Sequence, residues 1–214
     1  MTTREKIVQT ALELFNGKGT RAVTTNHIAA GAGISPGNLY YHFRNKGDII
    51  RAIYDQLERR GEEGPRAIAH SCPPGSLESL ERMFLFIQEF NWHYRFFKRE
   101  LPALLLDDPA LGERFRETHR QTLAMIRSMI DAATARGIMV ALSDENRDLL
   151  ADTFWMITLL WPTYLEAGNG EVTEEGVARG VQVMRTLFAC YLSDTSASAE
   201  GASGSAGDEF SAED

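Results

Sequence analysis

The chain has 214 residues, of which 43% are hydrophobic and 24% charged, and its 22 Lys and Arg against 30 Asp and Glu give a formal net charge of −8. This length and apolar content suffice to bury the core of one large or two small domains. The two cysteines exclude a disulfide framework and indicate a reducing compartment, and no apolar run approaches the roughly 20 residues that a membrane helix needs. We therefore expect a cytoplasmic protein without membrane contact.

The charge is unevenly distributed along the chain. Residues 1–60 contain nine basic and five acidic side chains, a net charge of +4, so the other 154 residues carry −12. The acidic total argues against a nucleic-acid partner, since DNA binding uses clustered Lys and Arg to replace counterions. A basic first quarter joined to an acidic remainder is nevertheless typical of a binding domain attached to a body with another role.

Four helices are predicted in the first quarter of the chain. The first covers residues 3–17, behind a capping box formed by Thr2 and Glu5, and Gly17 and Gly19 end it. The other three begin at residues suited to capping; they start near Thr24, at Ser35 and at Asn45, and the last of them continues to Arg60.

A stretch rich in glycine and proline separates this quarter from the rest. Because such residues interrupt helices, we predict a linker over residues 61–75. Helical spacing then resumes at Leu77, with further helix starts at Asp108, Ser143 and Thr173. Residues 193–214 are mainly Ser, Ala, Gly and acidic residues, so a disordered acidic tail is predicted there.

Residues 24–46 have the physical parts of a helix-turn-helix. Gly33 supplies the tight turn, Ile34 fills the space between the two helices, and Leu39 and Phe43 anchor the second helix from beneath. Adjacent helical residues point about 100° apart, so Tyr40 and Tyr41 cannot both be core rings in so thin a domain. The outward-facing residues of the second helix are then Ser35, Pro36, Gly37, Asn38, Tyr40, Tyr41 and His42.

This region closely resembles the DNA-binding domain of the TetR family of bacterial transcriptional regulators. The resemblance rests on Ala11-Leu12-Glu13-Leu14-Phe15, on Thr24-Thr25 with Ile28-Ala29, on the run Gly33 to Phe43, and on Asn45-Lys46. It implies an all-α fold with a three-helix helix-turn-helix DNA-binding domain at residues 1–60 and a helical ligand-binding and dimerisation domain at residues 76–192.

The resemblance also implies roles for single residues. Positions matching Pro36, Gly37 and Asn38 lie nearest the base edges, and the Asn38 amide can bond an adenine edge bidentately. Few donors precede Asn38, so DNA shape is expected to share in specificity. Positions matching Tyr40, Tyr41 and His42 contact phosphate, sugar or a thymine methyl, and those matching Thr25 and Lys46 contact a phosphate. The full predicted DNA surface is Thr24, Thr25, Asn26, Ser35, Pro36, Gly37, Asn38, Tyr40, Tyr41, His42 and Lys46.

The end of the chain is unusually apolar. The segment 149–165 is apolar nearly all round and must be covered on every side. The family resemblance implies that a second copy covers it in a four-helix bundle; a core within one chain is the alternative. The predicted dimer interface is Phe154, Ile157, Trp161, Val177, Val181, Met184 and Phe188. Pro162 removes the helical hydrogen bond to the carbonyl of residue 158 and is expected to kink the helix. A kink beside Trp161 either shapes a pocket wall or merely accommodates packing.

Rings and thioethers between residues 83 and 129 are the candidates for a ligand cavity. Residues at such spacing also form plain cores, and both interpretations stay open at this point. The predicted lining is Met83, Phe86, Phe90, Trp92, Phe97, Met125 and Met129, with Asn91, His93, His119 and Thr122 as polar contacts. A lipophilic or aromatic small molecule is favoured, because no cluster of charged residues is confined to this stretch.

Catalytic and metal chemistry are poorly supported. The histidines lack a ligand set of three or four, and there is neither a phosphate-binding glycine loop nor a nucleophile elbow, so we expect no enzyme, cofactor or metal site. The primary hypothesis is a homodimeric, ligand-responsive transcriptional regulator, a repressor that a small-molecule effector releases from a palindromic double-stranded DNA operator. The alternative is a helical small-molecule carrier or interaction module without operator binding.

Overall fold

A computed structural model of the protein describes residues 1–193, apart from the side chain of Asn169. Within this range the chain forms ten α-helices and no β-strand; one isolated β-bridge joins Met139 and Leu192. The helices are α1 (Thr3–Ala22), α2 (Thr25–Gly31), α3 (Pro36–His42), α4 (Lys46–Ser71), α5 (Leu77–His93), α6 (Arg95–Arg99), α7 (Leu101–Asp107), α8 (Pro109–Ala135), α9 (Asp144–Asn169) and α10 (Glu174–Ala189). The all-α prediction is confirmed. Apart from Ser193, the tail predicted over residues 193–214 lies outside the described residues.

Side-chain caps start most of these helices where the sequence predicts. Thr2 and Glu5 form the capping box of α1, and the Ser35 hydroxyl accepts a hydrogen bond from the Asn38 amide at the start of α3. Such caps satisfy amides that have no partner inside the helix. The remaining predicted caps are confirmed in the same way at Thr24, Asn45, Asp108, Ser143 and Thr173.

The fourth helix is longer than predicted. It continues past Arg60 to Ser71, so the prediction of a linker over 61–75 is wrong for most of its length. Gly61 and Gly64 do not break the helix; they let α5 approach it, because a side-chain carbon on Gly64 would collide with the Phe86 ring. Proline inside the helix at position 65 costs one backbone hydrogen bond without ending the helix. As a result, a single helix runs from the helix-turn-helix into the body.

Two apolar cores fill the molecule. The first joins α1–α4 to α6 and α7, and the second lies among α5, α8, α9 and α10. Phe96 and Phe97 of α6 belong to the first core: Phe96 packs against Phe15 with ring centroids 5.3 Å apart, and Phe97 stacks on Tyr54 at 5.1 Å. Burial of each such ring contributes about 2–3 kcal/mol, so the N-terminal helices are anchored on the body rather than connected by a loose tether.

Candidate functional sites: the helix-turn-helix surface and the body cavity

The helix-turn-helix consists of α2, a four-residue turn and α3. Gly33 has φ of 63°, a left-handed conformation that favours glycine, and the amide of Ile34 donates to the carbonyl of Ala29 at 3.0 Å. Beneath the turn, Ile28 and Leu39 are fully buried. The apolar sides of α2 and α3 therefore fix the angle between them, as the sequence predicts.

The outer surface of α3 is open to solvent. Tyr41 is 84% exposed and Tyr40 50% exposed, so their predicted exposure is confirmed and the alternative of two core rings is wrong. The Tyr40 hydroxyl lies 3.0 Å from Thr25 Oγ1, which links α3 to the start of α2. His42 is half-buried, and its ring meets Tyr41 edge-on. The other predicted contact residues on this side are exposed: Thr24, Asn26, Ser35, Pro36, Gly37 and Asn38.

Lys46 has a role that the sequence prediction missed. Its Nζ donates to the backbone carbonyls of Thr20 at 2.6 Å and Val23 at 3.2 Å, so the ammonium closes the C-terminal end of α1. Two of its three N–H donors are thus used inside the protein. The predicted phosphate contact has one donor left, and Lys46 serves the fold in either case.

Other basic residues provide exposed positive charge near α3. The Arg4 guanidinium lies 5.0 Å from the centre of the Phe43 ring, which ends α3, and Lys6 Nζ lies beside the Gly33 turn. Arg51, by contrast, is held in ion pairs with Asp48 and Asp108. Six exposed cations among residues 1–60 form no ion pair with a carboxylate of residues 1–193; these are Arg4, Lys6, Lys18, Arg21, Arg44 and Arg59.

A cavity of about 860 Å³ occupies the body. Helices α4, α5, α6, α8, α9 and α10 contribute to its walls, and this volume lies within the range typical of small-molecule sites. Six predicted ligand residues and one predicted polar contact line it, namely Met83, Phe86, Phe90, Phe97, Met125, Met129 and Thr122. The wall also includes residues that the sequence did not single out for a cavity, among them Trp155, Thr158 and Leu159.

Four of the predicted ligand contacts lie elsewhere. Trp92 and His93 border a separate shallow depression against α1, where the Arg95 guanidinium covers the Trp92 ring at 3.8 Å. Asn91 is buried and His119 lies beside the ring of Trp155, and neither lines the cavity. The ring content of the sequence predicts Trp92 at the cavity, but its position on α5 points it away from the wall that Phe86 and Phe90 form.

The inner wall contains a buried lysine that sequence reasoning missed. Lys98 is 4% exposed, and its Nζ donates to Asn91 Oδ1 and, at 2.9 Å, to the carbonyl of Thr158. That carbonyl is available because Pro162, four residues later, has no N–H to donate. The predicted loss of the helical hydrogen bond to residue 158 is therefore visible at the cavity wall. Burial lowers the pKa of Lys98 to about 7, since the charged form loses its hydration.

A polar cluster joins α4 to α8 at the side of the cavity. The Tyr54 hydroxyl donates to Thr118 Oγ1 at 2.9 Å, and the Thr118 hydroxyl lies 3.0 Å from Glu58. Arg114 bridges Glu58 and Asp55, the latter at 2.8 Å. Burial raises the pKa of Tyr54, so this phenol stays neutral and serves as a hydrogen-bond donor.

The predicted dimer residues of α10 are core residues of a single chain. Val177, Val181, Met184 and Phe188 are at most 6% exposed, because their stripe packs against α5 and α9 of the same chain. Assigning these four to a dimer interface is therefore wrong. Of the α9 candidates, Phe154 lines the cavity, Ile157 packs partly buried against the second core, and the Trp161 indole donates to the carbonyl of Gly176.

A different side of α9 is apolar and uncovered. Four apolar side chains on this side are each 47% to 65% exposed, and their spacing keeps them on one side of the helix. They are Leu149, Met156, Leu160 and Tyr164. We call these four residues the α9 stripe. The sequence predicts that the segment 149–165 is covered on every side, and a single chain leaves this side of it uncovered.

The described residues contain no helix long and apolar enough to span a membrane and no group of three metal-ligating side chains. The chain combines a helix-turn-helix, whose second helix is exposed, with a helical body that contains a cavity. These features define its class: a helix-turn-helix protein with a second site, of small-molecule size, in the same chain.

Comparison with known proteins identifies the family. Residues 7–53 match the model of bacterial regulatory proteins of the tetR family, and residues 51–199 match a second TetR model described as a bacterial transcriptional repressor. A solved TetR-family transcriptional regulator from Marinobacter aquaeolei VT8 is 35% identical, with 91% of this chain and 93% of that chain covered and a TM-score of 0.81. The chain therefore belongs to the TetR family, as its residues predict.

Curated relatives match over a shorter stretch. The HTH-type transcriptional regulator TtgR of Pseudomonas putida is 30% identical over 89 residues, covering 42% of this chain and 41% of the relative. The HTH-type transcriptional regulator AcrR of Shigella flexneri is 29% identical over 87 residues, covering 41% and 40%. The match thus spans about two fifths of the length of these relatives.

Proposed function

We propose that the protein is a DNA-binding regulator of transcription, a repressor that acts in the cytoplasm as a homodimer and leaves a palindromic operator when a lipophilic or aromatic molecule fills the cavity. The observation that carries this proposal is the length of α4. Its first half supports the helix-turn-helix, and its second half, from Leu57 to Ala69, lines the cavity. One rigid element therefore connects the two sites.

The exposed residues of α3 support operator binding. A short helix that begins with small residues can approach the floor of a major groove. There the Asn38 amide offers a donor and an acceptor to a base edge, while Tyr40, Tyr41 and Thr25 offer hydroxyls to phosphate. The exposed cations near α3, Arg4 and Lys6 among them, supply the salt-dependent part of the affinity.

The α9 stripe supports the homodimer. Apolar side chains about half exposed on one side of a long helix lose that exposure when two copies pack together. A two-fold dimer would present two copies of α3, and these fit half-sites roughly 34–36 Å apart on a palindrome. The family resemblance supports the same arrangement.

Helix α6 supplies a second connection between the cavity and α1. Lys98 lies in the cavity wall, while the next residue, Arg99, donates to the carbonyl of Phe15 and pairs with Glu166 of α9. Glu100 then accepts hydrogen bonds from the amide and the hydroxyl of Thr20. A ligand that displaces α4 or α6 would move α1 with it. Such a ligand releases DNA only if it binds the released state more tightly, and DNA then weakens ligand binding by the same factor.

Selection from a pool of randomised DNA duplexes tests operator binding without knowledge of the regulated genes. We expect enrichment of a palindrome at moderate salt by the wild-type protein and its loss with Tyr41→Ala, whose exposed ring makes no core contact. Leu85→Ala, which changes an apolar residue of α5 that is 54% exposed, serves as the control. A pool that stays random with correctly folded protein would reject the proposal and favour the carrier.

A further inference from the structure

We propose that the cavity ligand is a lipophilic acid whose anionic group is held by Lys98, with its apolar body against the aromatic and thioether wall. This inference rests on the proposed function only in naming the effector of that same cavity. It is carried by the position of Lys98, by its partners and by the charges of the surrounding wall.

Lys98 is held in place by two acceptors that leave its third donor unused. Asn91 Oδ1 and the carbonyl of Thr158 each accept one N–H, and an ammonium has three. Both partners are built for this contact, since Pro162 frees the Thr158 carbonyl and the Asn91 side chain is itself buried at 3% exposure. Because Lys98 lines the cavity, its third N–H remains for a ligand bound there.

The lysine has no counter-charge within the described part of the protein. Every other charged residue of the cavity wall has an oppositely charged partner there: Arg66 with Glu62, Arg114 with Glu58, and Glu117 with Arg120. Lys98 forms no ion pair among residues 1–193, and its Nζ lies 5.3 Å from the centre of the Phe90 ring. A buried cation without a counter-charge is unfavourable, so an anion delivered by the ligand would satisfy it.

The rest of the cavity fits the body of such an acid. The cavity wall that contains Lys98 also includes the rings of Phe90 and Phe97 and the thioether of Met184. Apolar groups of this kind bind hydrocarbon or aromatic surface and offer nothing to a second charge. A cationic ligand would meet Lys98 with like charge, and a neutral alcohol would leave the ammonium unpaired.

Compounds with one tail and different head groups test the assignment by isothermal titration calorimetry at neutral pH, in the absence of DNA. The probes are decanoate, decan-1-ol and decylamine, with 2-naphthoate and 2-naphthylmethanol as an aromatic pair. We expect each acid to bind the wild-type protein about tenfold or more tightly than its alcohol, and decylamine to bind least. Acids that bind no tighter than alcohols, or that do not bind, would overturn the proposal.

Two matched variants separate a ligand contact from a structural role. Lys98→Met keeps the length and apolar stem, and it should weaken decanoate about tenfold or more while decan-1-ol changes less than about twofold. Arg116→Met removes a paired cation at 60% side-chain exposure on α8, outside the cavity wall, and should leave both affinities unchanged. Equal losses of acid and alcohol in Lys98→Met, or an acid-specific loss in Arg116→Met, would contradict the assignment.

These outcomes are separable from those of the DNA experiment. If DNA selection succeeds and the acids fail, the protein remains a regulator with another effector. If the acids bind through Lys98 and no DNA is selected, the cavity assignment stands and the operator proposal fails. Should Lys98→Met not fold, the comparison of head groups on the wild-type protein still decides between acid and neutral ligand.

Discussion

At the scale of single residues, the two lysines that matter most have partners that sequence alone does not reveal. Lys46 was predicted to face phosphate and is found on the carbonyls of Thr20 and Val23. Lys98 was not singled out and is found buried in the cavity wall. In both cases the partners are backbone carbonyls or a side-chain amide outside the helix that contains the lysine, and spacing within one helix gives no signal for them.

Replacing Lys46 with alanine is expected to destabilise the fold as well as weaken DNA binding. Two carbonyls at the end of α1 would lose their charged donor, at a cost of about 1 kcal/mol or more, which corresponds to a fall in Tm of about 2–4 °C for a chain of this size. Thermal unfolding followed by circular dichroism measures it, with Lys18→Ala, at an exposed position on α1, as the control. A Tm equal to that of the control would remove the structural role of Lys46.

The lowered pKa of Lys98 predicts a pH-dependent stability. In the folded protein this pKa is about 7, whereas in the unfolded chain it returns to its ordinary value of 10.5. Between these two values the unfolded chain binds more protons at this site, so the contribution of Lys98 to the free energy of unfolding rises with pH. Below pH 7 both states are charged, and the burial cost is fully present.

The comparison with Lys98→Met isolates this contribution, because methionine does not titrate. We expect the Tm of the wild-type protein, measured relative to that of the variant, to increase from pH 6.5 to pH 9.5. The corresponding difference in the free energy of unfolding rises by at most about 1.4 kcal/mol per pH unit. Parallel Tm profiles for the two proteins would show that Lys98 keeps an ordinary pKa in the fold.

At the scale of helices, α4 shows where a local rule and a tertiary contact compete. The glycines and proline of residues 61–65 predict a break, yet the helix continues because Gly61 and Gly64 allow the rings of Phe90 and Phe86 to pack against its backbone. Propensity is a weak guide when tertiary packing opposes it. The caps were predictable, in contrast, because Thr2, Ser35 and Asp108 act on amides within three residues of themselves.

Substitution of Gly64 by alanine tests this account of α4. Alanine has the higher helix propensity, but its methyl group would overlap the Phe86 ring, so we expect a loss of about 1–3 kcal/mol in the free energy of unfolding by urea. Gly17→Ala provides the control, since nothing lies within 4 Å of a side-chain carbon there, and it should be neutral or stabilising. A gain of stability in Gly64→Ala would mean that α4 and α5 are not in close contact.

At the scale of the whole molecule, the first quarter was more predictable than the body. In the helix-turn-helix, Gly33, Ile34, Leu39 and Tyr41 have the positions that their spacing indicates, because the contacts are local. In the body, six of seven proposed ligand residues line the cavity, while the stripe of α10 turned out to be internal. Periodicity shows that one side of a helix is apolar, but it does not show whether the same chain or a second copy covers that side.

The homodimer is tested through the α9 stripe. Leu160→Glu combined with Tyr164→Glu places charge on residues that are 47% and 65% exposed in one chain, so the monomer should fold while pairing is lost. Sedimentation equilibrium is expected to give a dimer for the wild-type protein and a monomer for this variant. Leu85→Glu, at 54% exposure on α5, should remain dimeric. A variant that pairs as tightly as the wild type would place the dimer interface elsewhere.

The central claim is sequence-specific DNA binding by α3, and a fluorescence anisotropy titration tests it most directly. The selected palindromic duplex and a scrambled duplex of equal length are titrated with the wild-type protein and with Asn38→Ala, at two salt concentrations. We predict that the wild-type protein prefers the palindrome by about 10³-fold or more, and that Asn38→Ala loses preference mainly at one base pair while its salt dependence is unchanged. Equal affinity of the wild-type protein for the two duplexes would contradict the account.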